Sequence, residues 1–328
     1  MEIKKLRLAI IGCGAIFENN HLPVLIKSYC WQVAFLIDND YERIKKIAEK
    51  LGAGYSININ DIPENIDACL IATPNYLHAS QSIILLERGY HVICEKPMAL
   101  NLSEAVSVRI CAEKFKRLYF IVHQKRFQQN INYLRKQIVE NGNVKSIDIS
   151  LGNKFGWISR TNFYASPEKS GGGVFIDLGV HLFDILFSLW ESVIVNEIIF
   201  SAPQKTEPII DTGVTCFGMI DQNIPFTLRA SRVTTLNNSI KVSFLNQDID
   251  VSLSDANKIS IIRNDKSSFK NIDFEIGTIA DPFNVYWQNV ANVIFGNQPL
   301  TSPSMIKDGI QVMTCIEKAR QIAQIIIQ

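Results

Sequence analysis

The sequence predicts an α/β protein of two domains: a doubly wound parallel sheet over residues 1–122, then an α+β domain with a mainly antiparallel sheet over 123–328. Three observations carry this reading. Short apolar runs alternate with amphipathic helical stretches through the first third of the chain. A pair of glycines stands where the first such run meets the first helix. Beyond residue 190, strand-like segments follow one another without intervening helices. The length, 328 residues, also exceeds what one ordinary core organises.

Taken in order, runs rich in β-branched residues at 6–11, 32–37, 68–72, 91–94 and 118–122 read as buried parallel strands. The stretch "DYERIKKIAEKLG" reads as a helix with an aspartate cap and a stop at Gly52, and "HASQSIILLERG" as one that ends at Gly89. In "NLSEAVSVRICAEKFK", Ser103 is the expected cap. After residue 123 a helix is expected at 128–140 and a strand at 145–155. A glycine-rich turn at 171–173 then leads into a helix that reaches Trp190. Strands are expected at 193–201, 211–220, 224–233, 240–245, 249–253 and 258–262, with closing helices at 282–296 and 303–326.

Composition narrows the class. Apolar residues make up 47% and charged residues 20%, as in ordinary globular proteins, and the net charge of +1 supplies no field for nucleic acid or acidic membrane. The seven cysteines are scattered, form no CxxC pair and sit in apolar runs, which fits buried free thiols in a reducing compartment and offers no metal cluster. The N-terminal apolar run is too short for a signal segment, and the longest apolar stretch elsewhere is interrupted by Asp184, Glu191 and Glu197. A cytoplasmic protein without nucleic-acid or membrane partners is the expectation.

The first motif is "LAIIGCGAIF", a strand running into Gly12-Cys13-Gly14-Ala15-Ile16. The first glycine permits the tight turn, and the second lets a pyrophosphate approach the backbone. The helix start then offers free N–H donors. The third small residue of the full fingerprint is replaced by Phe17, which implies a shifted contact between helix and sheet. Asp38 ends the second strand, 24 residues past Gly14. An acid there can hold the adenine-ribose hydroxyls and disfavours a 2′-phosphate, or it can cap the next helix. Together these features predict a Rossmann domain that binds NAD; Arg43 keeps NADP open.

Two further stretches, "IATPNYLHASQSIILLERGYHVICEKPMAL" at 71–100 and "GGGVFIDLGVHLFDIL" at 171–186, combine with the glycine loop into a pattern that resembles the Gfo/Idh/MocA oxidoreductases. The resemblance implies an N-terminal Rossmann domain and a C-terminal domain whose open, mainly antiparallel sheet often builds a homodimer or homotetramer. It implies hydride transfer between NAD(P) and a hydroxyl-bearing carbon of a sugar, cyclitol or nucleotide sugar, with the substrate held by residues of both domains.

By that resemblance Lys96 of the Glu-Lys-Pro triplet sits beside nicotinamide and substrate, Glu95 meets the nicotinamide ribose, and Pro97 follows a cis bond. Lys96 follows a parallel strand, at the edge where ligands of this fold bind, and its ammonium can steady an oxygen that gains charge. Asp177 and His181 match the family's other active-site pair. They are four apart at a helix start and so share a face. A histidine suits proton transfer near neutral pH, and Asp177 would orient it or hold a substrate hydroxyl. On residue chemistry alone, the same pair also reads as a cap and a satisfied core histidine. Thr73, Pro74, Asn75 and His78 would line the cofactor near its nicotinamide half. Arg126 is a substrate candidate, as are Trp157 and its neighbours Lys154, Arg160 and Tyr164, which equally suit loop packing. A metal site built on His181 and Asp184 lacks a third ligand, so no metal is expected.

Relatives of the same fold also include regulators that bind without catalysis, the alternative reading, and reductases of non-sugar ligands. Retention of Lys96, Asp177 and His181 favours catalysis over both.

Overall fold

The computed structural model describes residues 5–154, 163, 166–203, 210–263, 269–273, 281–298 and 302–327. The chain forms two compact units. The first joins residues up to His123 with Phe283–Ile310, and the second holds most of 124–282 with the residues after Ile310.

The first unit is built on six parallel strands: β1 (Leu6–Ile11), β2 (Trp31–Ile37), β3 (Gly54–Ser56), β4 (Ala68–Ile71), β5 (His91–Cys94) and β6 (Tyr119–Ile121), in spatial order β3-β2-β1-β4-β5-β6. The order reverses between β1 and β4, and that switch point is where a doubly wound sheet opens a crevice at its carboxyl edge. Leu8, Ala9 and Ile10 are fully buried, as expected of a strand covered on both faces. Helices Tyr41–Leu51, His78–Glu87 and Leu102–Lys114 supply the cover.

Residues 283–310 return to this unit, whereas the sequence alone implies a single cut near 122. Helix Pro282–Ile294 brings Trp287 against Trp31: the Trp31 indole donates to the Trp287 carbonyl at 2.9 Å, and the rings meet edge to face at 5.1 Å. Further on, Ser304 accepts the Ile121 N–H at its carbonyl, and its hydroxyl meets His123 Nδ1 at 2.9 Å.

Among the described residues the second unit carries nine strands: β7 (Ser146–Gly152), β8 (Val193–Ala202), β9 (Gly213–Ile220), β10 (Ile224–Ser231), β11 (Ser239–Ser243), β12 (Gln247–Ser252), β13 (Lys258–Arg263), β14 (Phe269–Asp273) and β15 (Gln324–Ile327). They run in the order β14-β13-β12-β11-β7-β10-β9-β8-β15; β7–β10 and β8–β15 pair in parallel and the other described pairs are antiparallel. The long apolar run Pro167–Leu189 is mostly packed inside this unit.

Most expected elements lie within two residues of their predicted ends. Three differences have clear causes. The helix at 102–114 is capped by Asn101, whose Oδ1 accepts the Glu104 N–H at 2.9 Å, so Ser103 falls inside the helix. The final helix stops at Gln321, and Gln324–Ile327 joins β8 as a strand; a run of isoleucines at 325–327 favours a sheet edge once one is available. The short β3 and β14 lie in polar segments without clear alternation and escaped the pattern.

Candidate active site

The glycine loop leaves β1 at the switch point. Gly12 adopts φ +92°, and a Cβ there would lie 2.6 Å from the Ala72 backbone, so only glycine lets β1 and β4 approach so closely. Gly14 is different: a Cβ added to it meets nothing within 4 Å, which leaves open space over the loop. The helix opens at Ala15, and its first internal bond runs from the Glu18 N–H to the Gly14 carbonyl at 3.0 Å, so the Ala15 and Ile16 N–H groups precede the ladder. Clear space above Gly14 beside free helix-start donors suits a pyrophosphate. The helix continues with a wide turn over Phe17–His21 that buries Phe17 completely, the accommodation made for a bulky residue at the third small position.

Asp38 does not cap the next helix; Asp40 does, by accepting the Arg43 N–H. Asp38 accepts the Cys13 N–H at 2.7 Å and the Asp40 N–H at 2.9 Å, with Arg43 Nη1 at 3.5 Å. Arg43 is drawn more closely to Asp40, at 2.6 Å. Burial pushes the Cys13 thiol well up, so this residue offers the loop its backbone, not a reactive sulfur.

After β4, Thr73 Oγ1 donates to Gln81 at 2.7 Å, Pro74 precedes a short helical turn, and Asn75 is buried. His78 lies deeper than its motif alone indicates. It is 1% exposed, and its two ring nitrogens face the carbonyls of Pro97 and Thr73, which places it between the loops after β4 and β5.

Glu95-Lys96-Pro97 leaves the carboxyl end of β5, with a cis Lys96–Pro97 peptide as the resemblance implies. Glu95 is buried. His21 Nε2 lies 2.8 Å from its Oε1, and its Oε2 accepts the Lys96 N–H at 3.2 Å. The Trp287 indole donates to His21 Nδ1 at 3.2 Å, which assigns the His21 proton to Nε2, directed at Glu95. Burial opposes the Glu95 charge, but the His21 hydrogen bond and the positive charge around it, Lys96 included, outweigh burial and hold the carboxyl below its usual value. Lys96 itself is half-buried.

In the second unit, Asp177 and His181 lie on consecutive turns of one continuous helical run, Phe175–Gly179 followed by Val180–Leu189. The start of this run is held by Asp211, which accepts the N–H groups of Gly173 (3.1 Å) and Phe175 (2.7 Å). Burial raises Asp211 to about 6 against those bonds and the charge of Arg320. Both Asp177 and His181 are buried, and Asp177 forms an ion pair with Arg232, the residue that follows β10. The guanidinium thus leaves Asp177 as a hydrogen-bond acceptor beside His181.

Arg126, the substrate candidate, is buried in a bidentate pair with Asp184, through Nε at 3.0 Å and through Nη2. Trp157, Arg160 and Tyr164 lie outside the described residues, and Lys154 is exposed. His21, Trp287, Asp211 and Arg232 were missed. Each acts on a partner dozens to hundreds of residues away, which local spacing does not reveal.

A glycine loop at the switch point, with an acid joined to it, defines the first unit as a dinucleotide-binding Rossmann domain. Residues 6–123, about a third of the chain, match the family model GFO_IDH_MocA, described as an oxidoreductase family with an NAD-binding Rossmann fold, so this N-terminal region is similar to that family. It is 26% identical over 200 residues to glucose-6-phosphate 3-dehydrogenase of Bacillus subtilis, covering 58% of this chain and 55% of that one. It is 26% identical over 196 residues to D-glucoside 3-dehydrogenase of Escherichia coli, covering 56% and 54%. The matched region thus spans about half the length of these curated relatives. Among solved structures, a 3-ketoreductase from Actinomadura kijaniata, in complex with NADP and TDP-benzene, shares the fold at TM-score 0.86 and 15% identity, over 99% of this chain and 100% of that one.

Proposed function

We propose that the protein is an NAD(P)-dependent oxidoreductase that moves a hydride between nicotinamide and a hydroxyl-bearing carbon of a sugar, cyclitol or nucleotide sugar. The observation that carries this is Lys96: a half-buried amine at the carboxyl end of β5, on a turn fixed by the ionised, buried Glu95. A strand end beside the switch point is where this fold performs chemistry. The names of the curated relatives, both dehydrogenases of glucose derivatives, support the substrate class.

When bound, the nicotinamide supplies the hydride acceptor. Lys96 donates a hydrogen bond to the reacting oxygen and stabilises its developing charge. The family resemblance gives His181 the role of taking the hydroxyl proton, and within the second unit Arg232 anchors Asp177 as an acceptor for a substrate hydroxyl. Asp38 favours NAD over NADP, since its carboxylate repels a 2′-phosphate. Seven buried free thiols support a cytoplasmic setting. Exposed Ile194, Phe217, Ile262 and Ile326 on the nine-stranded sheet support self-association, which light scattering measures.

The test is NADH fluorescence against a panel of inositols, aldoses, sugar phosphates and nucleotide sugars, with NAD and NADP in parallel. Turnover with one class, abolished in Lys96→Ala and His181→Ala, supports the reading. NAD binding with silence across the panel would move it to a regulatory binding protein.

A further inference from the structure

Two buried histidines flank the Glu95-Lys96-Pro97 turn. On one side His21, at the end of the wide helical turn after the glycine loop, reaches Glu95. On the other, His78 opens the helix His78–Glu87, with Nδ1 2.7 Å from the Pro97 carbonyl and Nε2 2.8 Å from the Thr73 carbonyl. Carbonyl oxygens only accept, so holding both of them at once requires both nitrogens of His78 to donate, and a ring that donates twice is an imidazolium. His21 differs: it accepts from Trp287 at Nδ1 and donates only from Nε2. The titratable neighbours of His78 are Cys94 of β5 and, behind it, Tyr119 of β6, whose hydroxyl lies 3.2 Å from Ser82 Oγ. Burial alone would lower His78, yet the Cys94 sulfur and the two carbonyls outweigh it and raise the ring to about 9.

We propose that His78 is a positioning residue for Lys96: a buried imidazolium that ties the Thr73 carbonyl, in the loop after β4, to the Pro97 carbonyl, in the turn after β5, while His21 fixes Glu95 from the other side. The proposal rests on Lys96 being the reactive amine. A neutral ring can donate to only one of the two carbonyls, so the second loop loses its tether. Displacing a reactive group by about an ångström is enough to cost on the order of a hundredfold in rate.

The chain has five histidines, which makes direct observation practical. Long-range proton–nitrogen correlation spectra of the full-length, nitrogen-15-labelled protein are recorded from pH 6 to 10, with His78→Gln to assign the signal. The expected result is a His78 ring with both nitrogens protonated at pH 7, changing only on the alkaline side of pH 8, while His21 shows one protonated and one bare nitrogen. A His78 ring with a bare nitrogen at pH 7 overturns the proposal. Independently of any substrate, the rate at which an amine reagent acylates Lys96 is measured by peptide mapping. It should change severalfold in folded His78→Gln that retains NAD binding; an unchanged rate overturns the proposal. Turnover in that variant should fall on the order of tenfold to a hundredfold in kcat, with KM little altered. If no substrate is turned over, the proposed function fails, and the spectra and labelling still decide the role of His78. If His78→Gln does not fold, the wild-type spectra decide alone, with the His78 signal assigned from sequential backbone experiments.

Discussion

Asp38 accepts a hydrogen bond from the backbone N–H of Cys13 at 2.7 Å, which makes the acid after β2 part of the glycine loop itself. Its charge therefore lies beside the glycine loop, with Arg43 within reach, and in the proposed function it faces the adenine ribose. Asp38→Ala is expected to weaken NAD by about tenfold through loss of a charge-assisted bond, and to improve NADP by releasing Arg43 from one of its two carboxylates. Dissociation constants for both coenzymes, read by fluorescence, check it. A wild-type protein that prefers NADP would show that Asp38 serves the loop alone.

The two loop glycines should fail in different ways. Gly12→Ala drives a Cβ into the Ala72 backbone from a left-handed φ and should lower the melting temperature or prevent folding. Gly14→Val starts from a Cβ position with no contact within 4 Å among the described residues, so it should melt near the wild type and yet lose NAD affinity. Paired melting and binding curves separate the two effects.

Arg126 and Asp184 form an ion pair that is 6% and 1% exposed. Removing one partner strands a buried charge, and Arg126→Met should cost roughly 3–5 kcal/mol in urea unfolding. The double variant Arg126→Met with Asp184→Leu should recover most of that loss. A single variant as stable as the wild type would sink the assignment.

Glu95 is held below its ordinary value in the folded state, so the stability it contributes is present above the unfolded carboxylate range and lost as pH falls through the folded value. The stability gap between wild type and Glu95→Gln should hold steady from pH 8 to about 5 and shrink below about pH 4.3, the ordinary glutamate value. Urea midpoints across that range measure it; a gap that widens in acid would contradict the ionised, His21-bonded carboxylate.

How far the sequence could be read depended on range. The five principal strands of the parallel sheet announced themselves through local runs of β-branched residues, and Gly12, Lys96, Asp177 and His181 through short motifs. Gln324–Ile327 was taken for helix because its partner, β8, lies more than 120 residues earlier and no local period reports it. The motif of His78 gives position but not orientation, and only the fold turns both ring nitrogens onto backbone carbonyls. Arg232 escaped notice because a lone arginine after a strand carries no signal until Asp177 is beside it.

The return of residues 283–310 has a consequence for the newborn chain. Trp31 and His21 leave the ribosome 256 and 266 residues ahead of Trp287, which each of them contacts. Until that indole is synthesised, Glu95 alone holds the His21 proton on Nε2, without the second hydrogen bond at Nδ1. The grip on the Lys96 turn is therefore completed late in translation, after the strands beneath it have been available to pair for most of synthesis.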